Sequence, residues 1–271
     1  MTSQWPGFTS PLADGIVQFL KHKRALGRRF LVEEATLRLL DRFLVEQGIS
    51  TLEAITSDVI DDFLASRPRA RPRSYNHLLG TVARCFTWLV AQGQLSTSPV
   101  RARPRRVTSQ RIPFLFDQVG ARRLLDVASQ LPDNPRAPLR GPTYRTIFAL
   151  LYALGLRVGE VARLTVGDVD WDRRLLVIRE TKFGKSRLVP FGPRVGCTLA
   201  DYLTLRRART GDLEATSPLF TFTRRGPIHP CTISQTFHRL VPQLRLVVPE
   251  GVAPPRLHDL RHYPDLRIIP N

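Results

Sequence analysis

The chain is poor in lysine, cysteine and acidic residues, and it has no long apolar run. Four of its 41 cations are lysines (Lys21, Lys23, Lys182 and Lys185); the others are arginines. The cysteines, Cys85, Cys197 and Cys231, lie far apart with no Cys-x-x-Cys. That spacing supports neither a disulfide framework nor a zinc knuckle, and a reducing cytoplasm fits. The opening residues, Met-Thr-Ser-Gln-Trp-Pro-Gly, lack a basic segment followed by an apolar one, so no secretory signal is expected. The longest apolar run, Ile147 to Leu156, is too short for a bilayer and reads as a buried helix. Aromatics make up 8% and fall mostly at core-like positions, which disfavours an RNA-binding sheet with exposed rings. No internal repeat is visible.

What is abundant is positive charge. Lys and Arg number 41 against 23 Asp and Glu, for a formal charge of +18 spread along the chain. A polyanionic partner is the natural reading, nucleic acid first among them. A genome-level preference for arginine codons explains arginine over lysine. It does not explain the excess of cations over anions. Hydrophobic residues at 42% are enough for a real core, and 271 residues allow one large domain or two smaller ones.

Periodicity divides the chain. Leu12, Ile16, Phe19 and Leu20 recur at helical spacing, as do Leu37, Leu40, Phe43 and Leu44. Thr56-Ser57-Asp58 before Val59, Ile60 and Phe63 reads as a capped helix start. Ser74 is a candidate cap for a helix carrying Leu78, Leu79, Val82, Phe86 and Leu89, stopping near Gly93. The prolines of Arg67-Pro-Arg-Ala-Arg-Pro-Arg73 forbid a regular helix there. Residues 10–100 are therefore expected to form a small four-helix domain. Residues 101–113, dense in Pro and Arg, read as a basic linker, either merely solvated or tracking a phosphate backbone.

Residues 114–271 are expected to form a second, α+β domain. Phe116-Asp-Gln opens a helix, Thr143 is a candidate cap for a helix through Ile147, Leu150, Leu151 and Leu154, and Glu160 to Leu164 is helical. Leu175–Ile178 and Arg187–Val189 flank Lys182-Phe-Gly-Lys185 as a hairpin with a basic turn. Cys197–Arg209 is helical, and Thr232 is a candidate cap for a helix carrying Ile233, Phe237 and Leu240. The fold class is mainly α with one small β-sheet.

Four residues in the second domain carry chemistry: Arg157, Lys182, His258 and Arg261. In phosphodiester transfer the nonbridging oxygens gain charge in the transition state, and arginines stabilise them by bidentate, charge-assisted bonds. The leaving 5′ oxygen needs a proton, which lysine can give and arginine cannot. A chain nearly devoid of lysine keeps two in this turn. His258 can act as acid/base or donate to the phosphate. Each signal is common by itself: a hairpin lysine usually serves solubility, and a His-x-x-Arg pair is more often a surface feature. Order, spacing and context together carry the reading.

On Ala153-Leu-Gly-Leu-Arg157-Val-Gly-Glu160, Thr181-Lys182-Phe-Gly-Lys-Ser-Arg-Leu-Val-Pro190 and Arg256-Leu-His258-Asp-Leu-Arg261-His262, the chain resembles the tyrosine recombinase (phage integrase) family over nearly its whole length. The resemblance implies a SAM-like helical core-binding domain and a catalytic domain that closes on duplex DNA as a clamp. It makes Arg157 and Arg261 the phosphate-clamping arginines, Lys182 the donor to the leaving oxygen and His258 its acid/base companion. Lys182 is preferred over Lys185 because it lies nearer the start of the turn, and Glu160 reads as a structural partner rather than a catalytic group. The family's chemistry uses a 3′-phosphotyrosyl intermediate and no metal or cofactor, with recombinase protomers associating on DNA.

In the family a Gly-His motif and then a nucleophilic tyrosine follow. Neither is found between His262 and Asn271. Tyr263 sits two residues past Arg261, and Pro264 biases it away from helical geometry, so it is not taken as the nucleophile. The catalytic domain is thus expected to be C-terminally incomplete, as a frameshift or early stop would leave it. Two readings stand beside the recombinase: a silent DNA-binding protein, and a nonfunctional remnant of a mobile element. A type IB topoisomerase shares the residue logic, but the small helical N-terminal domain favours a recombinase. The expected location is the cytoplasm, on the nucleoid.

Overall fold

Apolar spacing sets the first helices. The computed structural model describes residues 7–107, 111–179, 185–222 and 226–261. Two units divide the chain, Met1–Gln110 and Arg111–Asn271.

The first unit holds α1 (Ala13–Ala25), α2 (Leu31–Glu46), α3 (Ser57–Ser66) and α4 (Pro72–Ala91). Every apolar residue singled out above for these helices is buried except Val59, which is half-buried. Thr56 caps α3, its hydroxyl accepting from the Val59 N–H. Ser74 does not cap α4: the helix begins earlier, with Arg71 at the cap and Pro72 at the first helical position, where a missing N–H costs nothing. Gly15 lets α1 approach α4, since a Cβ there would stand 2.5 Å from Leu89 Cδ2. Burial pushes the Cys85 thiol up to about 12, so it is an inert core residue. Arg105 closes this unit. Its backbone exchanges two hydrogen bonds with the Asn76 amide, and its guanidinium lies 3.9 Å from the Tyr75 ring centroid.

The second unit packs α5 (Gln118–Ser129), α6 (Arg140–Ala153), α7 (Val158–Arg163), α8 (Pro193–Thr210) and α9 (Pro230–Leu240) around one core. A three-stranded antiparallel sheet, β1 (Val169–Asp170), β2 (Leu175–Ile178) and β3 (Arg187–Pro190), runs in order β1-β2-β3. Leu176 faces Val189 and Ile178 faces Arg187 across the hairpin. The protein is mainly helical with one small sheet, as the periodicity predicts; two-residue β1 is too short to announce itself. α6 is its central element, burying Tyr144, Ile147, Phe148, Leu150 and Leu151.

Two expected caps are corrected here. Thr143 lies inside α6 and its hydroxyl donates back to the Leu139 carbonyl. The carboxylate of Asp133 instead accepts from the Leu139 and Arg140 N–H groups. Likewise Thr232 lies inside α9, which His229 caps through Nδ1 on the Cys231 N–H. In both cases the capping side chain comes from further upstream than the nearest hydroxyl. Among the described residues no helix is long and apolar enough to cross a membrane.

Candidate functional site

The site starts where α6 ends. Gly155 takes φ +59°, a left-handed conformation that glycine adopts without a Cβ penalty and that stops helices. Leu156 then buries completely, and Arg157 becomes the cap of α7. The Arg157 N–H donates to Glu160 Oε2 and its Nη1 to Oε1, both at 2.8 Å. Glu160 is only 3% exposed. Its carboxylate also receives both Nη groups of Arg187, from β3, at 2.8 and 2.9 Å. Burial pushes the Glu160 carboxyl up, but hydrogen bonds from Arg187 and Arg157 outweigh it and bring it to about 2. One buried anion thus holds two guanidiniums that remain partly open to solvent.

The remaining groups sit on a short 3-10 turn, Leu257–Arg261. Leu257, Asp259 and Leu260 are buried, and these anchors leave His258 exposed and Arg261 half-buried. His258 and Arg261 line a cavity of about 300 Å³ with His238, Arg256 and Ser234, over an apolar floor that includes Leu151 and Leu156. Burial lowers the proton affinity of Arg261, and the neighbouring charges of Arg157 and Arg187 add to this while Glu160 opposes it. Arg261 stays protonated, since arginine's ordinary value is far above neutrality. Three arginines therefore feel one another around a single carboxylate, an unbalanced positive charge beside an imidazole.

The structure brings Arg157 and Arg261 within electrostatic reach and puts His258 in the Arg261 cavity. Lys182 and Tyr263 lie outside the described residues. The strands leading to the Lys182 turn end at the Ile178–Arg187 pair, where Arg187 is bonded to Glu160. Sequence reading missed Arg187 and His238. Arg187 lies 27 positions from Glu160 in a strand that reads as apolar, and no local signal pairs them. His238 could have been found from the apolar face of α9, which leaves it on the opposite side. Among the described tyrosines, Tyr144 and Tyr202 are buried, and the Tyr202 hydroxyl donates to the Leu219 carbonyl. No three His, Cys, Asp or Glu side chains gather at metal-binding spacing among the described residues.

The mainly helical fold with its small three-stranded sheet is that of the tyrosine recombinase class. The chain belongs to the phage integrase family, whose model matches residues 121–268. The protein y4rB of Sinorhizobium fredii, described as an integrase/recombinase, is 33% identical over 93% of this chain and 80% of its own length. Tyrosine recombinase XerD of Ralstonia nicotianae is 28% identical over 86% of this chain and 75% of its own. In fold, the chain is similar to a lambda integrase tetramer solved on a Holliday junction (TM-score 0.61, 19% identity, 93% of this chain and 71% of that one). It is also similar to the Tn1549 transposon integrase in complex with circular intermediate DNA (TM-score 0.64, 14% identity, 94% and 85%).

Proposed function

We propose that the chain binds duplex DNA and activates a phosphodiester for strand transfer between DNA segments. The observation that carries this reading is Arg157 and Arg187 bonded to the single carboxylate of Glu160, with Arg261 within electrostatic reach of all three and lining one cavity with His258. Arg157 and Arg261 hold the nonbridging oxygens, whose charge grows as a nucleophile adds to phosphorus. Lys182 delivers the proton that leaves with the 5′ oxygen, and His258 is its acid/base companion. The reaction needs no metal or cofactor in this reading. The DNA-bound assemblies of the structural neighbours support duplex DNA and further recombinase protomers as partners. A protein acting on DNA in this way works in the compartment that holds the chromosome, in this reading the cytoplasm.

The nucleophile is not assigned to Tyr263. It follows Arg261 by two residues and precedes Pro264, and a phosphate gripped by Arg261 is poorly placed for attack from that position. The reading takes the attacking tyrosine from outside residues 1–271, on another protomer or on further chain.

The test is a nicked suicide duplex spanning the ends of the DNA segment that carries the gene, with covalent protein–DNA adduct read on a denaturing gel. No adduct is expected from this chain alone, while noncovalent binding is salt-sensitive and an added family member restores cleavage. An adduct lost in Tyr263→Phe overturns the assignment of the nucleophile. Absence of any DNA binding overturns the whole reading.

A further inference from the structure

The turn that presents His258 and Arg261 is one short stretch of 3-10 helix, a conformation with poor hydrogen-bond geometry that rarely stands unaided. The residues before it, Pro254 and Pro255, cannot contribute backbone N–H groups. Something else must fix it. At the start of the second unit, Arg111 reaches across 148 positions and donates from Nη2 to Oδ2 of Asp259 at 2.8 Å. The same Nη2 donates to the Pro254 carbonyl. Next along, Ile112 forms a parallel bridge with Val252, and its carbonyl accepts from the Ala253 N–H at 3.1 Å. The chain entering the unit is thus a strap laid over the segment that leads into the His258–Arg261 turn.

Asp259 is the point where strap and turn meet. It is fully buried, and the Oδ2 that accepts from Arg111 also accepts the Arg256 N–H at 2.9 Å, while the Asp259 N–H donates to the Arg256 carbonyl at 2.8 Å. Arg256 Nη2 stands 3.5 Å from the other oxygen. One carboxylate therefore closes the turn on itself and ties it to Arg111. His258 and Arg261 flank it in sequence and face the cavity. A buried carboxylate that loses its cation must rearrange or let water in, since an uncompensated buried charge is costly. Small displacements of groups that grip a reacting phosphate have large effects on rate.

We propose that Arg111 is a positioning residue for the phosphate site: it holds Asp259 and so fixes the turn that carries His258 and Arg261. It touches neither DNA phosphate nor nucleophile in this role. The proposal rests on the phosphate-site reading given above. It gives the basic stretch before the second unit a task beyond joining two units. Five residues, 106–110, separate Arg111 from Arg105, which is anchored on Tyr75 and Asn76 of the first unit.

The experiment compares residues 1–271 with the Arg111→Gln and Arg111→Lys variants in two measurements. The first is hydrogen exchange of the backbone amides of 256–261. The second is calorimetric titration with inorganic phosphate, run also on Arg261→Ala. Arg111→Gln is expected to speed exchange at Arg256 and Asp259 by about tenfold or more while α5 and α6 keep parental rates, a local opening rather than global unfolding. Phosphate affinity is expected to fall about fivefold, with Arg111→Lys recovering part of it because the charge is kept but the fork geometry is lost. Parental exchange at 256–261 in Arg111→Gln overturns the proposal, and so does faster exchange with unchanged phosphate affinity. Should Arg111→Gln not fold, the same two measurements on Arg111→Lys decide it. If Arg261→Ala binds phosphate as the parent does, the phosphate-site reading itself has failed, and the exchange data still tell whether Arg111 holds the turn.

Discussion

Arg187 and Glu160, on β3 and α7, face each other fork to fork: both Nη groups of the arginine meet both oxygens of the carboxylate, at 2.8 and 2.9 Å. Arg157 joins the same carboxylate with a backbone and a side-chain bond. The strand that leads out of the basic hairpin turn and the helix that Arg157 caps are thereby fixed on one anion. Charge-assisted, bidentate bonds of this kind are the strong and directional ones.

The acid stability of the protein should report that anion. Glu160 titrates near 2 in the folded chain, below the ordinary carboxylate range. A depressed value means the group stabilises the folded state above its unfolded value and loses that contribution as pH falls from about 4.5 toward 2. Glu160→Gln is expected to be less stable than the parent at pH 7 by on the order of 3 kcal/mol, with the gap closing as pH drops through that window. Urea unfolding of both proteins at several pH values checks it, and a gap that widens in acid would sink the assignment.

Arg157→Ala and Arg261→Ala should weaken duplex binding and lower the steepness of its salt dependence by about one counterion each. Binding isotherms from low to moderate salt measure both quantities. Arg261→Ala should change the melting temperature little, whereas Arg157→Ala also removes a side-chain bond to buried Glu160 and should lower it. Parental affinity in both variants would count against a phosphate-gripping role.

Gly141 tests how closely α5 and α6 approach. A Cβ at this position would lie 2.2 Å from the Ser129 carbonyl oxygen, so Gly141→Ala must push two backbones apart. A loss of about 2–4 kcal/mol is expected, near the upper range for overpacking. Gly93→Ala, at φ +70° with open space around it, should cost only about 1 kcal/mol, the left-handed backbone penalty. Thermal or chemical melts of the two variants should separate clearly.

Caps offer a finer comparison. Thr56→Ala removes the bond to the Val59 N–H and should destabilise by about 1 kcal/mol. Thr232→Ala should be nearly neutral, since His229 caps α9. A reversed order in chemical denaturation would contradict the helix starts described here.

What could be read from the sequence was whatever repeats locally. Helical spacing exposed the buried faces of α1 to α4, and β-branched runs exposed β2 and β3, because burial on one side leaves a periodic mark. The Arg157, His258 and Arg261 positions were legible because their short motifs resemble a known family. The caps at Asp133 and His229 were not, since the nearest hydroxyl competes with a side chain that the fold delivers from upstream. Nor were Arg187 and Arg111: each meets its carboxylate only after distant segments pack, across 27 and 148 positions. Long-range ion pairs leave no periodic trace, so the framework of the site was hidden even where its motifs were plain.

Burial and the neighbouring charges of Arg157 and Arg187 together disfavour the charge on Arg261, and that has a thermodynamic consequence. An anion that settles among Arg157, Arg187 and Arg261 offsets that penalty. Binding that favours the folded state raises its stability by mass action. On the proposed function that anion is a DNA phosphate, and binding it would steady the second unit as well as hold the substrate, completing the charge balance that the amino-acid sequence leaves open.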